Sequence, residues 1–331
     1  MDMTIQLADS TGAEIKELTD DFDVELSKSK MDFELTVPYS AWDGSIDYDC
    51  RIYVPDTEFG GIVKEIESDT NNRLIYVRGY TWRGQLSKKI IEPPSGQGYM
   101  TATGDLNSCI GTIVGNRFGS LFQVSSESTG QTVSGYKYER YCTMHDGLMA
   151  MLASKGYRLE ITYKQTQAGG YVLISAVPAV DYSQEIELSS DGKMNFKSRE
   201  NRRGINHLIC LGKGELSERI VVHLYAQADG TVGSAQYYTG VEEFAEVYDS
   251  NNSEEEQLTE SGTKKLLELM NSQSFNASAG DDLEDAGIML GDIISGRDYI
   301  TGKQISKPIA KKILRIKEGK PAVEYELEGE S

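Results

Sequence analysis

The sequence predicts a mainly β protein carrying an α+β insertion. Three observations predict it. Short runs of alternating apolar residues, separated by acidic and glycine turns, fill residues 1–94. Helical periodicity enters only after the Pro93-Pro94 break. One charged hairpin pattern occurs near both ends of the chain. β-branched and aromatic runs bounded by Asx and Gly read as strands, and several of them in series read as a barrel or sandwich.

Residues 4–7, 22–26, 33–37 and 50–54 are the first expected strands, followed by a hairpin over residues 60–80. In its first arm Ile62, Lys64 and Ile66 share one face, and Val63, Glu65 and Glu67 share the other. Asp69-Thr70-Asn71-Asn72 supplies the turn, because Asx side chains bond their own backbone and tolerate left-handed dihedrals. Leu74-Ile75-Tyr76-Val77 returns toward Arg78 and Gly79. Asp20, Asp21 and Asp23 beside Phe22 lack the Gly and the distal Glu that an EF-hand loop requires.

Asp105 can N-cap a short helix with Leu106, Ile110, Ile113 and Val114 on one side. Thr143 and Asp146 form a capping-box variant opening a second helix, with Met144, Leu148, Met151 and Leu152 as its apolar stripe and Gly156 as its stop. A hairpin over residues 158–163 and 171–177 follows, turning at 165–170. Residues 95–182 are therefore expected to form an outer α+β domain with its methionines in the core.

From residue 183 to 331 the chain returns to β. Strands are expected at 186–188, 194–196, 205–211, 219–226 and 274–279. Residues 241–260 hold eight acidic residues and no basic one, which reads as a solvated face or connector before a helix at 261–270. The acidic run 281–285 precedes the second hairpin. There Ile309, Lys311 and Ile313 repeat the earlier spacing, 318–321 turns, and Val323, Tyr325 and Leu327 alternate with glutamates. An Asp-led strand approaches each hairpin, at Asp49 and at Asp292. A module present twice points to internal duplication of a barrel-like unit.

The formal net charge of −19 repels polyanions, so no nucleic-acid partner is expected. No apolar run is long enough for a membrane helix, and MDMTIQLADSTG has neither the basic nor the apolar region of a signal peptide. Cys50, Cys109, Cys142 and Cys210 form no CxxC and read as reduced thiols. Charge is segregated: residues 300–317 carry six basic residues and no acid, and 193–203 carry five basic residues and one acid. Such stretches either protect an edge strand or dock an acidic partner or another copy of the chain.

No catalytic constellation emerges, and no metal or cofactor is expected. His145, His207 and His223 lack HExxH or His-x-His spacing, and the latter two read as structural residues within strands. Gly-x-Ser-x-Gly and the P-loop are absent, and Gly212-Lys213-Gly214-Glu215 reads as a turn. Trp42, Trp82 and Tyr237-Tyr238 are either stacking platforms for a glycan or core residues.

Several of these stretches resemble a family of hub-like tail proteins from siphophages and prophages. They are Val77-Arg78-Gly79-Tyr80 with Leu86-Ser87-Lys88-Lys89-Ile90-Ile91 and Pro93-Pro94, then Leu211-Gly212-Lys213-Gly214-Glu215 with Arg219, and finally Leu290-Gly291-Asp292-Ile293-Ile294 with Thr301-Gly302 and the last hairpin. The resemblance implies two tube-protein-like β-barrel domains (1–94 and 183–331) around the outer domain. It implies a non-enzymatic baseplate hub in the virion tail, assembled in the bacterial cytoplasm. Such a homotrimer presents six similar barrels between a six-fold tail tube or distal tail protein and a three-fold spike or tail-tip protein. Family members often continue into a lytic or receptor-binding region, which would here fall to a separate chain. A receptor- or glycan-binding tail protein and a cell-wall-degrading tail enzyme are the alternatives. Ile62, Lys64, Ile66, Tyr76, Arg78, Lys307, Lys311, Lys312, Arg315 and Tyr325 are the expected interface residues.

Overall fold

The computed structural model describes residues 3–27, 30–182, 187–188, 195–201, 204–270, 272–278, 287–297 and 304–327. The chain divides into two compact units, residues 1–196 with 276–328, and residues 197–275 with 329–331.

In the first unit the N-terminal strands are β1 (Ile5–Ala8), β2 (Glu14–Leu18), β3 (Asp21–Leu26), β4 (Met31–Pro38), β5 (Arg51–Tyr53), β6 (Gly60–Asp69) and β7 (Leu74–Thr81). They pair in the order β3-β4-β7-β6-β5-β1-β2. The β6–β7 hairpin turns where expected: Asp69 Oδ1 accepts the backbone N–H groups of Asn71 (2.8 Å) and Asn72 (3.2 Å), and Arg73 takes the left-handed φ of 57°. Alternation is strict in β3 and β4. Phe22, Val24, Leu26, Phe33, Leu35 and Val37 are buried, while the intervening carboxylates face outward, so one face of the sheet is core and the other is charged.

The C-terminal hairpin, Gln304–Lys317 and Lys320–Leu327, adds to this same sheet rather than standing apart. Residues 312–316 run antiparallel to residues 22–26 of β3. Its turn has positive φ at both Glu318 (51°) and Gly319 (73°), the conformation whose twist suits a two-residue hairpin. Both hairpins carry a bulge early in the first arm, between Val63 and Glu65 and between Ile309 and Lys311. The expected residues 183–186, 281–285 and 300–303 lie outside the described residues, as do Lys193, Met194, Arg202 and Arg203.

Residues 1–94 are not wholly β. Thr81 caps a short helix α1 (Trp82–Ser87) by accepting the Gly84 N–H at 3.1 Å. The following α+β segment comprises β8 (Thr101–Asp105), α2 (Leu106–Val114), β9 (Phe122–Val124), β10 (Thr132–Lys137), α3 (Met144–Ala153), β11 (Tyr157–Thr166) and β12 (Gly169–Pro178). Both foreseen caps form: Asp105 accepts from Asn107 N at 2.9 Å, and Thr143 Oγ1 from Asp146 N at 3.1 Å. The α3 stripe is buried, methionines included. That core continues past residue 94 into Tyr53, Trp82 and Leu86, and the Trp82 ring stacks on Tyr163 with centroids 5.0 Å apart. Aromatic burial of this size overrides the chain break at Pro93-Pro94.

Buried charges help pin the first unit together. Arg83 holds Glu58 Oε2 at 2.9 Å and donates to Leu159 O at 2.9 Å. Arg158 Nε meets Asp292 Oδ1 at 2.8 Å, and Asp292 also accepts the N–H groups of Val180 and Met289. Lys312 Nζ donates to Ile288 O at 3.0 Å. Taking charges out of water costs several kcal/mol each unless partners replace the hydration, so these segments are held in register by necessity.

In the second unit, strand His207–Leu211 pairs antiparallel with Val221–Ala226 and parallel with Ala245–Asp249. The helix Glu255–Leu269 covers one face through Leu258 and Leu266 against Leu208, Cys210 and Leu224. The acidic stretch 241–260 is thus not a bare connector. Tyr248 and Leu258 supply its apolar contacts, and Glu255 and Glu256 sit in the first helical turn, where the backbone dipole favours negative charge.

Candidate interaction surface

The charged face of the first unit is organised by register. Arg315 stands opposite Asp23, Asp23 opposite Glu34, Glu34 opposite Arg78, and Arg78 opposite Glu65. One row therefore crosses five strands and joins the two hairpins through β3 and β4. Arg78 is its centre: Nε lies 2.5 Å from Glu34, and Nη1 lies 2.6 Å from Glu65 and 2.5 Å from Glu67. Its guanidinium sits 5.1 Å from the Tyr76 ring centroid. Arg315 pairs with Glu324 and lies 3.9 Å from Asp23. Burial holds the Asp23 carboxyl above its ordinary range against the pull of Lys317 and Arg315. A depression of 340 Å³ opens over this row, lined by Asp23, Glu34, Arg78 and Arg315 together with Lys30 and Asp32.

The row gathers Arg78 and Arg315 from the expected interface set, with Tyr76 beside Arg78 and Lys311 close by, 3.2 Å from Glu25. Lys64 is exposed and pairs with Asp49. Ile66 is half-buried, and Ile62 packs on the α+β core. Lys312 and Tyr325 are interior residues, 6% and 3% exposed, so neither belongs to this outward surface. The bulge before Lys311 resets the alternation, placing Lys312 on the inner face with Leu314 and Ile316. Lys307 stands opposite Ile294 in register, and its side chain lies outside the described residues. Sequence reasoning missed the acidic half of the row. Its signal was the alternating carboxylates Asp21, Asp23 and Glu25 of β3 and Asp32 and Glu34 of β4.

Chemistry on this surface is electrostatic. Among the described residues no three His, Cys, Asp or Glu side chains converge on a metal position. The four cysteines are free, and burial raises the thiols of Cys109, Cys142 and Cys210, which keeps them unreactive. Trp82 is fully buried, whereas Tyr237 of the second unit is exposed and meets Tyr238 edge-on at 4.9 Å.

No protein-family model matches the chain, and no curated protein matches it in sequence. Solved structures do. The 43 kDa tail protein of prophage MuSo2 from Shewanella oneidensis is 16% identical with a TM-score of 0.57, the match covering 98% of each chain. The tail protein from Neisseria meningitidis MC58 is 11% identical with a TM-score of 0.53, over 98% of this chain and 95% of that one. Over 98% of its length, the chain shares the mainly β fold, with α+β parts, of these solved tail proteins.

Proposed function

We propose that this chain is the structural hub of a phage tail or phage-tail-like contractile particle. Three copies form a pseudo-hexameric ring that joins a six-fold tail tube to a three-fold spike. The observation that carries the reading is the likeness in fold to the MuSo2 tail protein along 98% of both chains. The paired hairpins support it: each begins with a bulged strand, and one charged row ties both into a single sheet. In this reading residues 1–94 and 183–331 supply two tube-like elements per subunit, and residues 95–182 lie outside the ring. Strand edges and the charges flanking them set the register between subunits. A closed ring of head-to-tail contacts needs complementary faces on one chain, and in this reading the charged row through Arg315 and Arg78 belongs to one of them. The partners are further copies of itself, a tube or distal tail protein, and a spike or tail-tip protein.

The test is the solution mass of the purified chain across a concentration series, with negative-stain images of the largest species. A trimer with six similar densities around its axis supports the hub. A monomer at every concentration, unchanged when tube and spike chains are added, overturns it.

A further inference from the structure

The geometry points to a two-histidine site for a borderline divalent transition-metal ion on the second unit, built by His207 and His223 and oriented by Glu243. Sequence spacing hides it, because the two histidines belong to neighbouring antiparallel strands. His207 stands opposite Tyr225, and Ile209 opposite His223. The histidines are therefore diagonal neighbours on one face, within reach of each other. His207 Nε2 and His223 Nδ1 lie 2.8 Å apart.

The proton inventory of this chain is decided by Glu243. Its Oε1 lies 2.6 Å from His207 Nδ1. An ionised carboxylate only accepts, so the His207 proton sits on Nδ1 and the Nε2 lone pair faces His223. The His207 ring is held from its face by Tyr225, with centroids 4.4 Å apart and planes 25° apart. His207 is buried, whereas His223 is exposed to solvent. Without metal, His223 Nδ1–H donates to His207 Nε2. When the His223 proton moves by solvent exchange to its outward nitrogen, two nitrogen lone pairs face each other across the 2.8 Å gap. Imidazole nitrogens bind zinc at about 2.0–2.1 Å, which in tetrahedral geometry sets the pair roughly 3.3 Å apart. Rotation of exposed His223 off the line between the two nitrogens opens that distance and turns both lone pairs onto one ion. Water completes the coordination on the solvent side. A carboxylate on the far nitrogen of a ligating imidazole is the usual orienting partner. All-nitrogen donors select zinc, nickel or copper over magnesium or calcium.

The experiment is calorimetric titration of the full chain, purified without a polyhistidine tag, with Ni²⁺ and separately with Mg²⁺. One Ni²⁺ per chain and no Mg²⁺ uptake are expected. His223→Ala, at an exposed position, should abolish that Ni²⁺ uptake. Glu243→Gln should weaken it by about 10- to 100-fold, the usual effect of losing an orienting partner. Absence of Ni²⁺ uptake by the parent chain, or equal uptake by His223→Ala, overturns the site and leaves a purely structural hydrogen bond.

Discussion

Lys312 Nζ stands 3.9 Å from Glu58 Oε1 with both residues buried, while adjacent Lys311 reaches Glu25 on the opposite face of the same strand. Two consecutive lysines therefore have unrelated roles, one in the interior of the first unit and one on its surface.

Charge reversal separates them. Lys312→Glu places a second carboxylate beside Glu58, whose Oε1 accepts no hydrogen bond from the described residues. Breaking a buried ion pair typically costs about 3–5 kcal/mol, so this variant should unfold or show a sharply lowered denaturation midpoint. Lys311→Glu loses a partly exposed pair worth about 1 kcal/mol or less. It should fold normally, and in the hub reading it should lower the trimer fraction. Urea denaturation and solution mass of both variants check this, and equal stability of the two would remove the distinction.

Arg78 answers three carboxylates on the charged face. Arg78→Ala leaves Glu34, Glu65 and Glu67 facing one another without their shared cation. The expected loss is about 1–2 kcal/mol at low salt, since exposed pairs are individually weak and only the network adds up. Because these groups touch solvent, salt should shrink the difference from the parent chain. Denaturation midpoints at low and high sodium chloride decide it. A salt-independent loss would mean that Arg78 acts through packing on Tyr76 instead.

Asp105 caps α2 and also holds the loop at Ser128 and Thr129. Burial raises its carboxyl, but hydrogen bonds from Thr129, Ser128 and the backbone N–H groups of Thr129 and Asn107 outweigh that and hold it below the ordinary aspartate range. A carboxyl depressed on folding contributes stability that is present above its unfolded value and lost as pH falls through its folded value. Asp105→Asn keeps a capping oxygen but loses the charge-assisted bonds from Ser128 and Thr129, so it should be less stable at neutral pH, and the difference should begin to shrink as pH falls below about 4. Thermal midpoints between pH 3 and 7, spanning the aspartate range of about 4, test this.

Much of this architecture was legible because local chemistry and tertiary placement agree. The Asp69 turn, the Asp105 and Thr143 caps, and the buried stripe of Met144, Leu148, Met151 and Leu152 follow from short-range rules. What was hidden depends on register. Nothing local announces that β3 lies beside residues 312–316, the pairing that brings both hairpins into one sheet. A one-residue bulge moved Lys312 inward, and no count of spacings reveals a bulge. The same applies to His207 and His223, sixteen positions apart in sequence with ring nitrogens 2.8 Å apart in the fold.

Lys312 also offers a test on the alkaline side. Burial lowers the pKa of its ammonium below the ordinary 10.5; Arg83 and Arg158 push in the same direction, and Glu58 and Asp292 oppose them. Between the lowered folded value and the unfolded value, the folded chain binds fewer protons, so stability rises with pH in that window. The penalty for keeping this amine charged is full at lower pH and is relieved as the solution approaches about pH 10.5. Lys312→Met removes the titration while keeping an unbranched apolar side chain of similar length. Cysteine and tyrosine titrations are common to both proteins and cancel in their difference. The parent chain should therefore gain stability relative to Lys312→Met as pH rises from about 8 toward about 10, read from denaturant midpoints at matched ionic strength. A constant difference across that range would mean that Lys312 ionises as it does in water, and that Glu58 compensates its burial in full.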